Sequence, residues 1–493
     1  MALPKNKAPQ NRNQLLAAAL IVYGIVTFMT MLQHAPWRDE TELWLIARDT
    51  TLPGLFAEMP YEAHPALWYL ILRPFARLGL PYVCHGIIHW AVAVAIVAIF
   101  LWRAPLPLLT RILAVFSYYL FYQYCIEARV YAIGLLLLFL LALAYRSRFT
   151  NPVRYGVLLF FLFNSNVMMF PAAGILLVLW VGESIKEGRR DARLFASASG
   201  VVIGAILAAW QVGLIGKPAD AALAKHPGVW LNTDEMLKAL AGMFFVGSSP
   251  AAFLAAPAAF ILLALLYAMA TRPRSLVFCL GHVSALFLLV GLRMDSSPRH
   301  WGVLFIGVLF ALWIAHYEED WTAPRWTRFL PDFKTRLRPG MLLLNLSLVA
   351  STGYGWLMHD LEWNYDYSGS RNMAEYIQRN GLDKYPIAAQ QYAHLSAIAV
   401  YFPGKTFWYA GIRKPVTFVR ANREHLEGHL IPYEEALARM NEAFPPPQPL
   451  LILLNVPLDP AAFPRYQLLH KVDSTVFGSD ERFYLYQRIA PGG

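Results

Sequence analysis

Apolar runs of roughly twenty residues recur along this chain at intervals of about 25 to 40 residues, and they decide what it can fold into. A bilayer core about 30 Å thick is crossed by a helix of that length, whereas the helices of a soluble domain are shorter and carry one polar face. The chain is 57% hydrophobic and only 15% charged, against roughly 25% charged in an ordinary soluble domain. Its 493 residues therefore read as a polytopic membrane protein rather than a string of soluble domains. The formal charge of +10 does not mark a nucleic-acid binder. The basic residues sit in short connections between apolar runs, the pattern of loops retained on the cytoplasmic side. Cys84, Cys125 and Cys279 lie in or beside apolar segments without metal-ligand spacing, which argues against a disulfide framework.

The first run, 14–33, follows Lys5, Lys7 and Arg12, and no small-x-small cleavage site comes after it. It is expected to be an uncleaved span with its basic end in the cytoplasm. Further spans are expected near 83–102, 106–124, 130–145, 154–164, 167–182, 194–214, 251–270, 275–292, 301–317 and 341–358, about eleven in all. The short apolar segment 64–80, with Arg73 and Arg77, fixes the topology. If it does not cross, then Arg103/Arg111, Arg146/Arg148/Arg154, Lys186/Arg189/Arg190/Arg193, Arg272/Arg274 and the loop carrying Arg325, Arg328, Lys334, Arg336 and Arg338 all fall inside. If it crosses, the positive-inside rule fails at each of them. Segment 64–80 is thus expected to be an interfacial helix within a first outer loop, 34–82. The connections 125–130, 215–240 and 293–300 then lie on the outer face too.

After about residue 360 the chain takes on ordinary polarity. The fold class expected is an all-α polytopic membrane domain over 1–360, followed by a small extracytoplasmic α/β domain over 361–493. In that tail, 373–382 and 433–444 have helical patterns, and "PIAAQQ", "PLLILLNV" and "RFYLYQRI" read as strands. The tail carries no phosphate loop, zinc spacing or nucleophile signature.

Four places could carry chemistry. "PWRDETELWLIARD" puts Asp39 and Glu40 at the membrane surface directly after the first span. A carboxylate held there can act as a general base, or it can simply cap the helix that follows. In "CIEARVYA", Glu127 and Arg129 stand between two spans, where an ionisable pair marks a site or a structural ion pair. In "MDSSPRHWGVLF", Arg299 and His300 open a span. Arginine suits bidentate phosphate binding, although at a headgroup boundary it also snorkels. His64, before Pro65, is either a structural histidine or a donor to a phosphate oxygen. The favoured topology brings all of these to one face.

The order "WRDETELWLIARD", "HPALWYLILRP", "EARVYA", "SPRHWGVLF" resembles the GT-C membrane glycosyltransferases, closest to the branch of protein O-mannosyltransferases and lipid A aminoarabinose transferases. The resemblance covers roughly 14–320 and is sharpest at 36–75 and 125–145. It implies that Asp39 is the catalytic base, that Glu40 completes the family's acidic pair, and that Glu127 matches a second acidic site. That site in the aminoarabinose branch is commonly an aspartate, and a lysine stands there in place of His64. The family takes sugars from polyprenyl-phosphate carriers on the outer face of the membrane. The resemblance therefore implies an inverting glycosyltransferase of the cell inner membrane, with a cytoplasmic N-terminus and a periplasmic C-terminal domain. Its donor would be a polyprenyl-phosphate sugar and its acceptor a lipid, glycan or protein. Arg129, Arg299, His300 and His64 would bind the lipid phosphate. Glu127 would orient Arg129 or hold a divalent cation, magnesium or manganese. A flippase for lipid-linked glycans and a non-catalytic assembly protein are the alternatives. No internal repeat favours the former.

Overall fold

The first apolar run forms α1 (Lys7–Gln33), 27 residues long, and a four-residue extended strap then turns the chain into three short helices: α2 (Arg38–Asp49), α3 (Leu52–Glu62) and α4 (Leu67–Arg77). At 11 residues α4 is about 16 Å long and does not reach across a bilayer. It lies against α2, where the Arg73 guanidinium donates to the carbonyls of Ala47 (3.1 Å) and Thr50 (2.8 Å). The bundle continues with α5 (Val83–Arg103), α6 (Leu108–Val115), α7 (Tyr131–Ala144), α8 (Pro152–Phe163), α9 (Phe170–Lys186), α10 (Ala192–Gln211), α11 (Thr233–Phe244), α12 (Ala255–Ala268), α13 (Pro273–Arg293), α14 (Pro298–Ala315) and α15 (Phe333–Asn364). The computed structural model describes residues 7–216, 218, 231–247, 252–293, 296–321, 327, 329–476 and 481–489. Lys5, Arg325, Arg328 and half of the 215–240 connection, 217 and 219–230, lie outside them.

Among the described residues, seven helices are long and apolar enough to cross a membrane, and those at 131–147, 152–163 and 255–271 are shorter apolar helices. The chain is a multi-pass membrane protein. Large apolar side chains such as Val178, Ile203, Leu263 and Leu342 are mostly exposed on the outside of the bundle, as a lipid-facing surface requires. α14 runs through the middle, almost wholly buried. Two expectations need correction. The run at 106–124 is not one helix: α6 stops at Val115, and a π-helical turn follows over Tyr119–Gln123. A backbone N–H freed by such a break is costly in an apolar bundle, and Ser351 of α15 accepts the one from Tyr118 at 3.2 Å. The connection expected at 215–240 also holds the start of α11, capped by Asn232, whose side chain accepts from the Glu235 N–H at 3.2 Å.

The connections assigned together by charge do lie together. Glu183 at the end of α9 meets Arg148 (2.6 Å) and also Arg274, and Asp320 meets Arg272 (3.4 Å) and Arg336 (3.7 Å). The strap, the 125–130 turn, the start of α14 and the tail converge at the other end of the bundle.

The tail forms α16 (Ser370–Arg379), β1 (Ile387–Ala389), α17 (Tyr392–Ala399), β2 (Phe407–Tyr409), β3 (Lys414–Val416), α18 (Arg423–Gly428), α19 (Tyr433–Ala443), β4 (Leu451–Leu454), β5 (Tyr466–Val472) and β6 (Phe483–Arg488). The sheet order is β3-β2-β1-β4-β6-β5. β1 runs parallel to β2 and β4, and the other neighbours are antiparallel. α17 packs on α2, so the small domain sits directly over the segment that carries Asp39.

Candidate active site

Asp39 stands in the first turn of α2, where a carboxylate complements the helix dipole. It faces three guanidiniums. Arg129, from the turn before α7, and Arg299, from the first turn of α14, both meet Oδ2, the latter at 3.4 Å, and Arg38 Nε lies 3.6 Å from Oδ1. All three cations also surround the indole of Trp37, with Arg38, Arg129 and Arg299 at 5.6, 5.8 and 5.5 Å from its centroid. The Nε atoms of Arg129 and Arg299 are buried without a protein acceptor. A carboxylate shared between Arg129 and Arg299, with buried donors of both left unused, has the composition of an anion site.

The start of α14 is held for this purpose. The Tyr124 hydroxyl donates to the Arg299 carbonyl at 2.7 Å, and Gly302, one turn on, leaves no room for a Cβ against Tyr124 and Tyr119. His300 caps the same helix, its Nδ1 accepting from the Ser297 N–H at 3.2 Å. His64 lies in the turn between α3 and α4. Its ring is 5.9 Å from that of Tyr131, which is 6.2 Å from the ring of His300. Burial and the charge of Arg299 hold the His64 imidazole down at about 4, so it is neutral at ordinary pH.

Glu40 points the other way, because a helical step of about 100° separates neighbours on α2. It is fully buried. Its Oε2 accepts from the Trp37 N–H (3.2 Å) and meets His34 Nε2 (2.9 Å), and its Oε1 accepts from the Ala128 N–H at 2.6 Å. Glu40 thereby ties α2 to the turn that carries Arg129. His34 bridges on to Glu362 Oε1 through Nδ1 at 2.8 Å. Burial opposes charge on His34, but the carboxylates of Glu362 and Glu40 outweigh it and hold the imidazole protonated well above its usual range.

The Glu127 side chain does not pair with Arg129, contrary to the expectation that it orients that residue. It accepts from the Tyr367 hydroxyl at 3.2 Å, while Arg129 turns to Asp39. Among the described residues, no three His, Cys, Asp or Glu side chains come together as metal ligands. The carboxylates of Asp39 and Glu127 are engaged with different partners, so this donor set does not fit a divalent cation.

A cavity of about 330 Å³ opens behind the strap, between the bundle and the C-terminal domain, lined in part by His34, Glu40, Trp44, Tyr82, Ala128 and Tyr401. Asp39 and Arg129 do not line it, but their chain neighbours Glu40 and Ala128 do. Sequence reading passed over Arg38, Trp37, His34 and Tyr367. The first two lie within the acidic motif itself, next to Asp39, while Tyr367 comes from a tail with no recognisable motif.

Short helices between the first two long spans, a broken span beside the site and a small α/β domain seated above are consistent with a GT-C fold. The solved structure of ArnT from Cupriavidus metallidurans bound to undecaprenyl phosphate matches over 97% of this chain and 98% of its own, with a TM-score of 0.51 and 12% sequence identity. No protein-family model matches the sequence, and no curated protein does.

Proposed function

We propose that this chain is a membrane glycosyltransferase that moves a sugar from a polyprenyl-phosphate donor to an acceptor hydroxyl at the outer face of the membrane, in one inverting step with Asp39 as base. The observation that carries it is the carboxylate of Asp39 set among Arg38, Arg129 and Arg299. As the acceptor oxygen bonds to the anomeric carbon, its proton passes to Asp39 and the bond from that carbon to the phosphate oxygen breaks. The donor phosphodiester carries one negative charge, and the departing monoester carries two when ionised. The departing group gains a negative charge that the donor lacks, so the guanidiniums of Arg129 and Arg299 stabilise the transition state more than the ground state. Arg129 and Arg299 take the phosphate, His64 and His300 border its place, and Glu40 and Glu127 hold the frame. The ArnT structure, whose bound lipid is undecaprenyl phosphate, supports a donor of this class for the shared fold. The basic connections at the opposite end of the bundle support an orientation with the C-terminal domain outside, and the proposal places the chain in an inner membrane.

The test is donor consumption by the purified protein in nanodiscs across a panel of polyprenyl-phosphate sugars, with Asp39→Asn beside the wild type. Turnover in the wild type alone is expected. Full activity in Asp39→Asn removes the base assignment, and donor binding without turnover by the wild type points to transport instead.

A further inference from the structure

The strap between α1 and α2 is gripped by the C-terminal domain along its main chain. The Arg371 guanidinium, in the first turn of α16, donates to the carbonyls of Leu32 (3.0 Å), Gln33 (3.0 Å) and His34 (2.5 Å). These belong to the carbonyls that the end of α1 leaves without helical partners, and a cation there also complements the helix dipole. The Ser370 hydroxyl donates to the Pro36 carbonyl at 2.7 Å. Glu481, fully buried, accepts from the Arg38 N–H at 3.3 Å through Oε1 and from the Ser368 hydroxyl at 2.7 Å through Oε2. The next residue in the chain is Asp39.

We propose that Arg371, Ser370 and Glu481 are positioning residues, and that the C-terminal domain is a clamp on the strap and its flanking residues, 32–38, that sets where Asp39 stands against Arg129 and Arg299. This rests on the reading of Asp39 as the base. The domain also touches the bundle through side chains, as where Glu42 accepts from the Ser396 hydroxyl at 3.1 Å and Glu58 meets Arg420. Those contacts hold α2 and α3 but leave the path of the strap free. Among the described residues, the C-terminal domain's contacts to the backbone immediately before the carboxylate are the grips at 32–38. A displacement of about 1 Å at a reacting group costs on the order of a hundredfold in rate, so a clamp of this kind acts on turnover rather than on donor affinity.

The test uses the full-length protein in nanodiscs and two readouts, steady-state transfer and hydrogen–deuterium exchange over residues 34–40. Arg371→Gln is expected to lower kcat by about 10- to 100-fold while the donor KM stays within about threefold. Arg371→Lys, which keeps the charge but not the fork, recovers part of the loss. Exchange over 34–40 accelerates in Arg371→Gln. The control is Arg439→Gln, which removes a guanidinium bound to the carbonyls of Ala410 (3.1 Å) and Gly411 (2.9 Å) inside the same domain. It should leave kcat within about twofold and exchange over 34–40 unchanged. Unchanged kcat or unchanged exchange in Arg371→Gln overturns the clamp, as does an equal loss in Arg439→Gln. If Arg371→Gln fails to assemble, Ser370→Ala and Arg371→Lys carry both readouts. If the wild type transfers from no donor, the reading of Asp39 fails, and the exchange difference alone decides whether the strap is clamped.

Discussion

A single carboxylate oxygen of Asp39, Oδ2, bridges two guanidiniums, those of Arg129 and Arg299, which come from the turn before α7 and from the start of α14. A phosphate oxygen placed between the same two arginines would make the contacts that Oδ2 now makes. In the proposed reaction, donor binding and release of the carboxylate for proton transfer would be two sides of one exchange of partners, and the residues that take part should behave as a unit.

Loss of that unit is expected to be non-additive. On general-base magnitudes, Asp39→Asn should reduce transfer by about 10²- to 10⁴-fold. Arg129→Ala should reduce it by a comparable factor, because a charge-assisted contact to the departing phosphate is gone. The double variant should be within about threefold of the worse single variant. Transfer rates measured for the four proteins close the cycle, and multiplicative losses would show that the two side chains act separately.

Arg299→Ala should weaken the product more than the donor. In the proposed reaction its guanidinium would face a phosphate whose charge grows as the lipid leaves, so inhibition by free polyprenyl phosphate should fall by about 10- to 100-fold. The donor KM should move by less. Arg299→Lys should recover only part of the difference, since an ammonium lacks the planar fork. An equal change in both constants would mean that Arg299 contributes uniform binding.

Glu127 gives a pH signature in stability. Burial pushes its carboxyl up to about 7, the charge of Glu40 adds to this, and Arg299 and Gln123 oppose it. An unfolded glutamate titrates near about 4.3. Between these values the folded chain keeps a proton that the unfolded chain has lost. The contribution of Glu127 is thus fully present below the unfolded value and is lost as pH rises through about 7. Thermal unfolding should show a wild-type Tm that falls from pH 5 to pH 8. Glu127→Gln should flatten this fall and stand above the wild type at pH 8. Glu481, likewise pushed up to about 7 mainly by burial, contributes in the same direction, so the slope should shrink rather than vanish.

How much of this was legible in the sequence depended on what physics imposes locally. Spans such as 83–103 and 192–211 were legible because a bilayer demands length and apolarity together. The break after Val115 was not, because "FSYYLFYQY" stays apolar through it, and the N–H it frees is taken by Ser351 from a distant helix. Strands β1, β4 and β6 announced themselves by composition. β2 and β3 are no shorter than β1, but they lack an apolar run that sets them apart from the surrounding chain. Asp39, Arg129 and Arg299 were legible because charge beside apolar runs is costly and needs a reason. That Glu40 would face inward from Asp39 depended on the position of His34 and Ala128, and the grip of Arg371 on α1 depended on how the tail folds back. Neither leaves a mark in the local sequence.

The contact between Glu58 and Arg420 fixes the C-terminal domain to α3. Glu58 is almost fully buried, whereas the Arg420 side chain is 38% exposed. Arg420→Ala should therefore strand a buried carboxylate and destabilise the protein by about 1–3 kcal/mol, less than for a fully buried pair because water screens the arginine. Glu58→Gln alone should cost less, since an amide is cheaper to bury than an unpaired charge. The double variant Glu58→Gln/Arg420→Ala should recover part of the loss seen in Arg420→Ala. Thermal unfolding of the four proteins gives the coupling between the two residues. A double variant no more stable than Arg420→Ala would mean that the arginine acts through its packing on Tyr61, over whose ring it lies at 5.0 Å, and not through the carboxylate.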